Sequence, residues 1–224
     1  MNKNIFVACD VSGQKEILEL LSKIHEEISG IKIGLQYITQ HSPEEIKELS
    51  KFNKPIFYDG KFFDIKNTLV ESVKSLKNLN ISYATVHLLN GLTALKAANE
   101  AANDINIKLL GVSVLTSFDN KELENLGFKD QVEKQVLRLI KIADEANLYG
   151  VICSPLEIKI IKKVAPSLKC FTPGIRQDED KNDQKRTLNA KQALEAGSDC
   201  LIIGRPITNG DPKKNIQKIL SSIN

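Results

Sequence analysis

Two patterns alternate along this chain of 224 residues, and that alternation constrains its fold more than any other feature. Short β-rich runs occupy residues 5–9, 31–33, 55–58, 83–87, 108–115, 150–153, 168–171 and 200–203. Between them lie amphipathic stretches of helical length. In residues 15–28, Ile17, Leu18, Leu21, Ile24 and Ile28 recur at spacings of three and four; in residues 130–146, Val132, Val136, Leu139, Ile140 and Ala143 do the same. Ser42-Pro43-Glu44-Glu45 and Ser154-Pro155 each set a capping residue before a proline, which predicts helix starts at both places. Eight strands, each followed by a helix, predict an α/β protein, a parallel (β/α)8 TIM barrel. No composition break or Gly/Ser linker divides the chain, so residues 1–224 are expected to form a single barrel domain. A doubly wound open sheet would usually show a glycine-rich dinucleotide loop after the first strand, and Asp10-Val11-Ser12-Gly13-Gln14 is not one.

Composition removes several classes of function. A net charge of +3, with 31 basic residues interleaved among 28 acids, is too small and dispersed for nucleic-acid binding. Aromatics make up 5%, which leaves no base-stacking platform. Met1-Asn2-Lys3-Asn4-Ile5 lacks the apolar core of a signal peptide, and no apolar run nears the ~18 residues of a membrane span, so a soluble cytoplasmic protein is expected. Cys9, Cys153, Cys170 and Cys200 lie in separate apolar runs without paired spacing and read as small buried hydrophobes. His25, His41 and His87 form no ligand pair, so no metal site is expected. Of the three, only His87, ending a strand, is placed to face a barrel mouth; a structural hydrogen bond serves it equally well.

Active sites of such barrels sit at the C-terminal ends of the strands, and the polar residues of note fall there. Behind Pro55-Ile56-Phe57-Tyr58 come Asp59, Lys61 and Asp64. Strand alternation points Asp59 and Lys61 to one side, while Asp64 lies beyond the strand end. An opposite charge nearby favours the charged form of a lysine, and an ammonium so held can deliver a proton. A single Asp-x-Lys is most often a solvated pair of little energetic consequence. The second strand, however, carries its own lysine, Lys32, among apolar neighbours, where a charge is costly unless partnered. Asp10 follows the first strand, and Thr116 and Ser117 follow the fifth. The opposite rim shows no comparable pattern.

The last two strands run into Thr172-Pro173-Gly174-Ile175-Arg176 and Ile203-Gly204-Arg205-Pro206-Ile207. Loops after these strands are the usual phosphate site of the fold. Gly204 lets backbone N–H approach an anion, and Arg176 and Arg205 supply planar charged donors. The polar stretch 177–183 beside them reads as a closing lid, with Gln184 placed to bridge lid and phosphate.

Together these residues resemble orotidine 5′-phosphate decarboxylases of the shorter bacterial form. The resemblance spans the chain: Asp10; Lys32-x-Gly34; Asp59-x-Lys61-x-x-Asp64-Ile65-x-Asn67-Thr68; Leu115-Thr116-Ser117; Pro173-Gly174-Ile175-Arg176; Asp183-Gln184-x-Arg186; and Gly204-Arg205-Pro206-Ile207-Thr208. It implies decarboxylation of orotidine 5′-phosphate to uridine 5′-phosphate in pyrimidine synthesis, without cofactor or metal. It further implies that Lys61 is the proton donor to pyrimidine C6, flanked by Asp59 and Asp64 with Lys32 completing the array. Asp10 would bind ribose hydroxyls, Thr116 and Ser117 the pyrimidine, and Arg176, Gln184, Gly204 and Arg205 the phosphate. Asp64 and Thr68 would cross into a neighbouring subunit's site, which implies a homodimer. The chain departs from the usual pattern at Gly60, Phe63 and Lys66, at His87-Leu88-Leu89-Asn90-Gly91 and at Leu188-Asn189-Ala190. A metal-dependent sugar-phosphate relative of the same superfamily is the nearest rival, and a catalytically silent phosphate-binding barrel the next.

Overall fold

Strands of this chain are short and bear side chains that are apolar on both faces, so each must be covered inside and out. The computed structural model, which describes residues 4–11, 13–176 and 187–223, meets that demand with a closed parallel barrel in the order β1 to β8. The strands are β1 Ile5–Cys9, β2 Gly30–Ile33, β3 Ile56–Phe62, β4 Ile81–His87, β5 Lys108–Val112, β6 Gly150–Ile152, β7 Lys169–Thr172 and β8 Cys200–Ile203. The α-helices around them are α1 Gln14–Ile24, α2 Leu35–Gln40, α3 Pro43–Glu48, α4 Lys66–Lys74, α5 Leu92–Asn103, α6 Asn120–Asn125, α7 Val132–Glu145, α8 Ile158–Val164, α9 Ala190–Glu195, α10 Arg205–Thr208 and α11 Pro212–Ile223. The outward faces of the strands and the apolar stripes of the helices share one continuous buried core, including Ile17, Leu21 and Ile24 of α1 and Val136, Leu139 and Ile140 of α7.

The inward faces carry a gradient of polarity that positions the site. Phe6, Phe57, Tyr83 and Phe171 fill the lower interior with ring centroids 5.3 to 6.5 Å apart, mostly edge to face. Gly30 faces this plug without a side chain, because a Cβ there would lie 2.2 Å from the Phe6 ring. Two residues further along each strand, the inward positions become Ala8, Lys32, Asp59 and Thr85. A layer of rings therefore forms the floor beneath a layer of charge.

Several boundaries differ from those read in the sequence. The pattern over 15–28 resolves into α1 followed by a 3₁₀ turn at His25–Glu27. The run 108–115 leaves the sheet after Val112, where its pairing with β6 ends at Ile152. Ser42 makes the expected cap, a complete capping box with Glu45. Ser154-Pro155 does not open a helix: the Glu157 carboxylate accepts from the Ser154 N–H at 2.9 Å, closing a turn, and α8 begins at Ile158. Asn189 caps α9 through a capping box with Gln192, so the helix is held without a proline. All four cysteines are buried and unpaired. The N-terminal rim of the barrel, contrary to expectation, has its own charge cluster. Asp199 accepts from Lys162 at 2.6 Å, Lys169 at 3.2 Å and the Cys170 N–H at 2.8 Å. Burial pushes its carboxyl up, but these donors outweigh burial and hold it below the usual range. Beside it, Lys108 lies over the Tyr149 and Tyr83 rings at 4.6 and 5.6 Å.

Candidate active site

Strand β3 departs from regular pairing just where its charges lie. Tyr58 pairs with Ala84 and Phe62 with Val86, so Asp59, Gly60 and Lys61 stand opposite Thr85 alone. Lys61 takes up the slack with φ of +48°, a left-handed conformation uncommon for a lysine. Its N–H donates to Thr85 Oγ1 at 2.8 Å, and the Thr85 hydroxyl donates to Asp59 Oδ1 at 2.9 Å. Asp59 and Lys61 do share a side, but through this bulge and not through the simple two-residue alternation of a strand. Gly60 has a packing reason: a Cβ there would lie 2.7 Å from the Tyr58 ring, which stacks on Phe62.

The charges form a chain across three strands. Lys61 Nζ lies 2.8 Å from Asp59 Oδ2, Lys32 Nζ lies 3.8 Å from the same oxygen, and Lys32 donates to Asp10 Oδ1 at 2.9 Å. Side-chain exposure is 9% at Lys32 and 13% at Asp59, against 33% at Lys61 and 56% at Asp10, so the array is buried in its middle and opens to solvent at both ends. Such buried charge is tolerable only when paired, as here. Gly34 explains the Lys-x-Gly spacing: a Cβ there would stand 2.8 Å from Asp10 Oδ1 and 3.1 Å from Lys32 Nζ.

These residues line a cavity of about 500 Å³ at the C-terminal mouth of the barrel. Thr116, Pro173, Gly174, Arg176, Gly204 and Arg205 line it as well, and a Cβ on Gly204 would lie 3.8 Å from Asp10 Oδ2. Gly174 has φ of +77°, a turn that suits glycine, and aims the chain back across the mouth. Beyond it, Ile175 pairs with Leu188 and the Arg176 N–H donates to the Leu188 carbonyl at 3.0 Å. A cavity that combines arginine donors with an alternating Lys/Asp array suits an anion that carries a second reactive charge.

Eight of the residues singled out in the sequence thus meet in one cavity: Asp10, Lys32, Asp59, Lys61, Thr116, Arg176, Gly204 and Arg205. Asp64, Thr68 and Ser117 are exposed and do not line it. Lys61 is therefore not flanked by two carboxylates of its own chain, because Asp64 Oδ1 accepts from the Ile65 N–H at 2.7 Å at the entry to α4. Gln184 and the stretch 177–183 lie outside the described residues. Sequence reasoning missed Thr85 and Asn90, which hold the β3 end, and Glu16 and Gln36, which line the cavity. A helix-start glutamate and a glutamine two residues past Gly34 were visible signals for the latter two. His87 is half-buried; its Nδ1 accepts from the Leu89 N–H at 3.3 Å, and its ring lies 5.5 Å from that of Phe63. Burial, with Lys61 nearby, lowers its pKa.

Residues 3–219 match the family described as orotidine 5′-phosphate decarboxylase / HUMPS. The chain is 38% identical over 222 residues to an orotidine 5′-phosphate decarboxylase of Ehrlichia canis (strain Jake), covering 98% of this chain and 97% of that one. It is 36% identical over 221 residues to that of Wolbachia pipientis subsp. Culex pipiens (strain wPip), covering 98% of each. Among solved structures, orotidine 5′-phosphate decarboxylase from Lactobacillus acidophilus superposes with a TM-score of 0.85 at 32% identity, covering 98% of both chains.

Proposed function

Because this chain belongs to the orotidine 5′-phosphate decarboxylase / HUMPS family, we propose that it decarboxylates orotidine 5′-phosphate to uridine 5′-phosphate, as a cytoplasmic homodimer and without metal or cofactor. The observation that carries this reading is the Asp10–Lys32–Asp59–Lys61 array in one cavity with Arg176, Gly204 and Arg205. Both carboxylates of the array are already engaged by lysine ammonium groups, an arrangement suited to charge catalysis and not to a divalent cation. That favours the nucleotide over the sugar phosphates of metal-dependent relatives.

In this reading the C6–carboxylate bond breaks, carbon dioxide leaves, and the electron pair stays on C6. The ring delocalises such a pair poorly, so a fixed positive charge must meet it. Lys61 is the group placed to do so, and its Nζ proton passes to C6 to complete the product. Lys32 and Asp59 hold Lys61 in position before reaction, so little reorganisation is needed in the transition state. Asp10 would take the ribose hydroxyls, Thr116 with Ser117 the pyrimidine, and Arg176, Gln184, Gly204 and Arg205 the phosphate. Phosphate contacts lie far from C6, and closure over them would let that binding energy favour the charged site.

Asp64 and Thr68 would serve the partner's site. Both are exposed and neither lines its own cavity, and Asp64 stands between exposed Phe63 and Ile65 with Leu89 nearby, an apolar surface that a second copy would cover. The test is the fall in orotidine 5′-phosphate absorbance with purified protein and no added metal, before and after treatment with a strong chelator. Turnover that survives chelation is expected; turnover that requires a divalent ion would point to the sugar-phosphate relatives.

A further inference from the structure

Beyond Phe62–Val86 the ladder between β3 and β4 stops, yet one side chain continues it. Asn90 Nδ2 donates to the carbonyl of Phe62 at 2.9 Å and to that of His87 at 2.7 Å, the last residues of the two strands. Asn90 Oδ1 accepts from the Asp64 N–H at 3.0 Å. The amide can point only this way, since a flipped group would set its oxygen against two carbonyls and its nitrogen against an N–H. Gly91, with φ of +80°, lets the chain turn at once into α5 and leaves Asn90 facing the β3 end.

The segment so held is unusual. Phe63 and Ile65 are 63% and 74% exposed on either side of Asp64, so no core packing fixes it. Its backbone is anchored by the Asn90 bond into the Asp64 N–H and by the bond from the Ile65 N–H into the Asp64 carboxylate. We propose that Asn90 is a positioning residue for Asp64 and, through it, for the active site of the partner subunit. The proposal rests on the shared-site reading given above. A reacting group displaced by about 1 Å loses on the order of 10²-fold in rate, so Asn90→Ala is expected to lower kcat/KM about 10- to 100-fold.

Subunit mixing tests the inference, because Asn90 would act on the other chain's site. As a reference, Lys61→Ala and Asp64→Ala chains are co-refolded. Half the dimers are then mixed, each with one intact site, and activity should recover to about a quarter of wild type. Lys61→Ala co-refolded with Asn90→Ala should recover to about the same level, since the intact Lys61 then meets an Asp64 still held by its own Asn90. If the reference pair recovers and this pair does not, Asn90 acts within its own subunit's site and the proposal is overturned. Wild-type kcat/KM in Asn90→Ala homodimers would also overturn it. If neither pair recovers although mixed dimers have formed, the shared site itself fails, and this inference with it. Asn90→Asp, of nearly the same size, keeps the acceptor but loses both donors. It replaces the alanine variant if that chain does not fold, with the same outcomes.

Discussion

Lys61 is a lysine in a left-handed backbone conformation, which costs on the order of 1–3 kcal/mol and persists only where the surroundings insist on it. Thr85 supplies that insistence, accepting the Lys61 N–H while donating to the Asp59 carboxylate. Backbone strain is thereby held at the residue expected to move the proton. Lys61→Ala should collapse kcat while leaving nucleotide affinity largely intact, because the ammonium acts chiefly in the transition state. Near-normal kcat in the purified variant would remove the proton-donor role. Thr85→Val keeps the shape but strands the Lys61 N–H and frees Asp59 to rotate. It should cost about 1–3 kcal/mol of stability by denaturant titration. It should also lower kcat more than it changes KM, with Thr85→Ser restoring both. A valine variant with wild-type kcat would show that the hydroxyl does not set the geometry of the pair.

At the scale of elements, the decisive feature is the pairing of β3 with β4. Three residues of one strand face a single residue of the other, and this excess lets Asp59 and Lys61 both turn toward the cavity. The same junction ends in His87, whose neutral ring accepts the Leu89 N–H and faces Lys61 and Phe63. Its pKa is lowered first by burial and then by Lys61. The unfolded chain therefore binds this proton more readily than the folded one at pH values between the ordinary value of about 6.5 and the lower folded value. The stability associated with a neutral His87 is complete above that window and is lost as pH falls through it. Denaturant midpoints at pH 7.5 and about 5.5 should fall further for the wild type than for His87→Asn, which keeps an acceptor but does not titrate. Equal falls in both proteins would show that His87 is not the group responsible.

For the whole molecule, the barrel divides its labour between its two ends. Asp199 and Lys108 stitch the N-terminal rim, where polar contacts of this fold serve stability, and the charged cavity opens at the other. No helix among the described residues is long and apolar enough to cross a membrane. Phe63, Ile65 and Leu89 are exposed apolar residues, and they are the surface on which the proposed second copy would sit. Placing charge there, as in Phe63→Glu with Leu89→Glu, should convert a dimer into a folded monomer in sedimentation and abolish turnover. A wild-type protein that sediments as a monomer, or a variant that stays dimeric and active, would exclude the shared site.

The barrel was legible in the sequence because its evidence is local. Strand and helix periodicities, the Ser42 cap and the position of each charge relative to its own strand end need no distant partner. Eight site residues could therefore be brought to one mouth by counting βα units. What only the tertiary structure decided depends on neighbouring elements. The bulge at Lys61 needs Thr85, 24 residues away; the hold on Asp64 needs Asn90, 26 away; and the Asp199 cluster needs Lys162, 37 away. Periodicity says which face a side chain takes in a regular strand. It cannot say where a strand carries two extra residues against its neighbour, because the hydrogen bonds that stabilise that irregularity come from the neighbour.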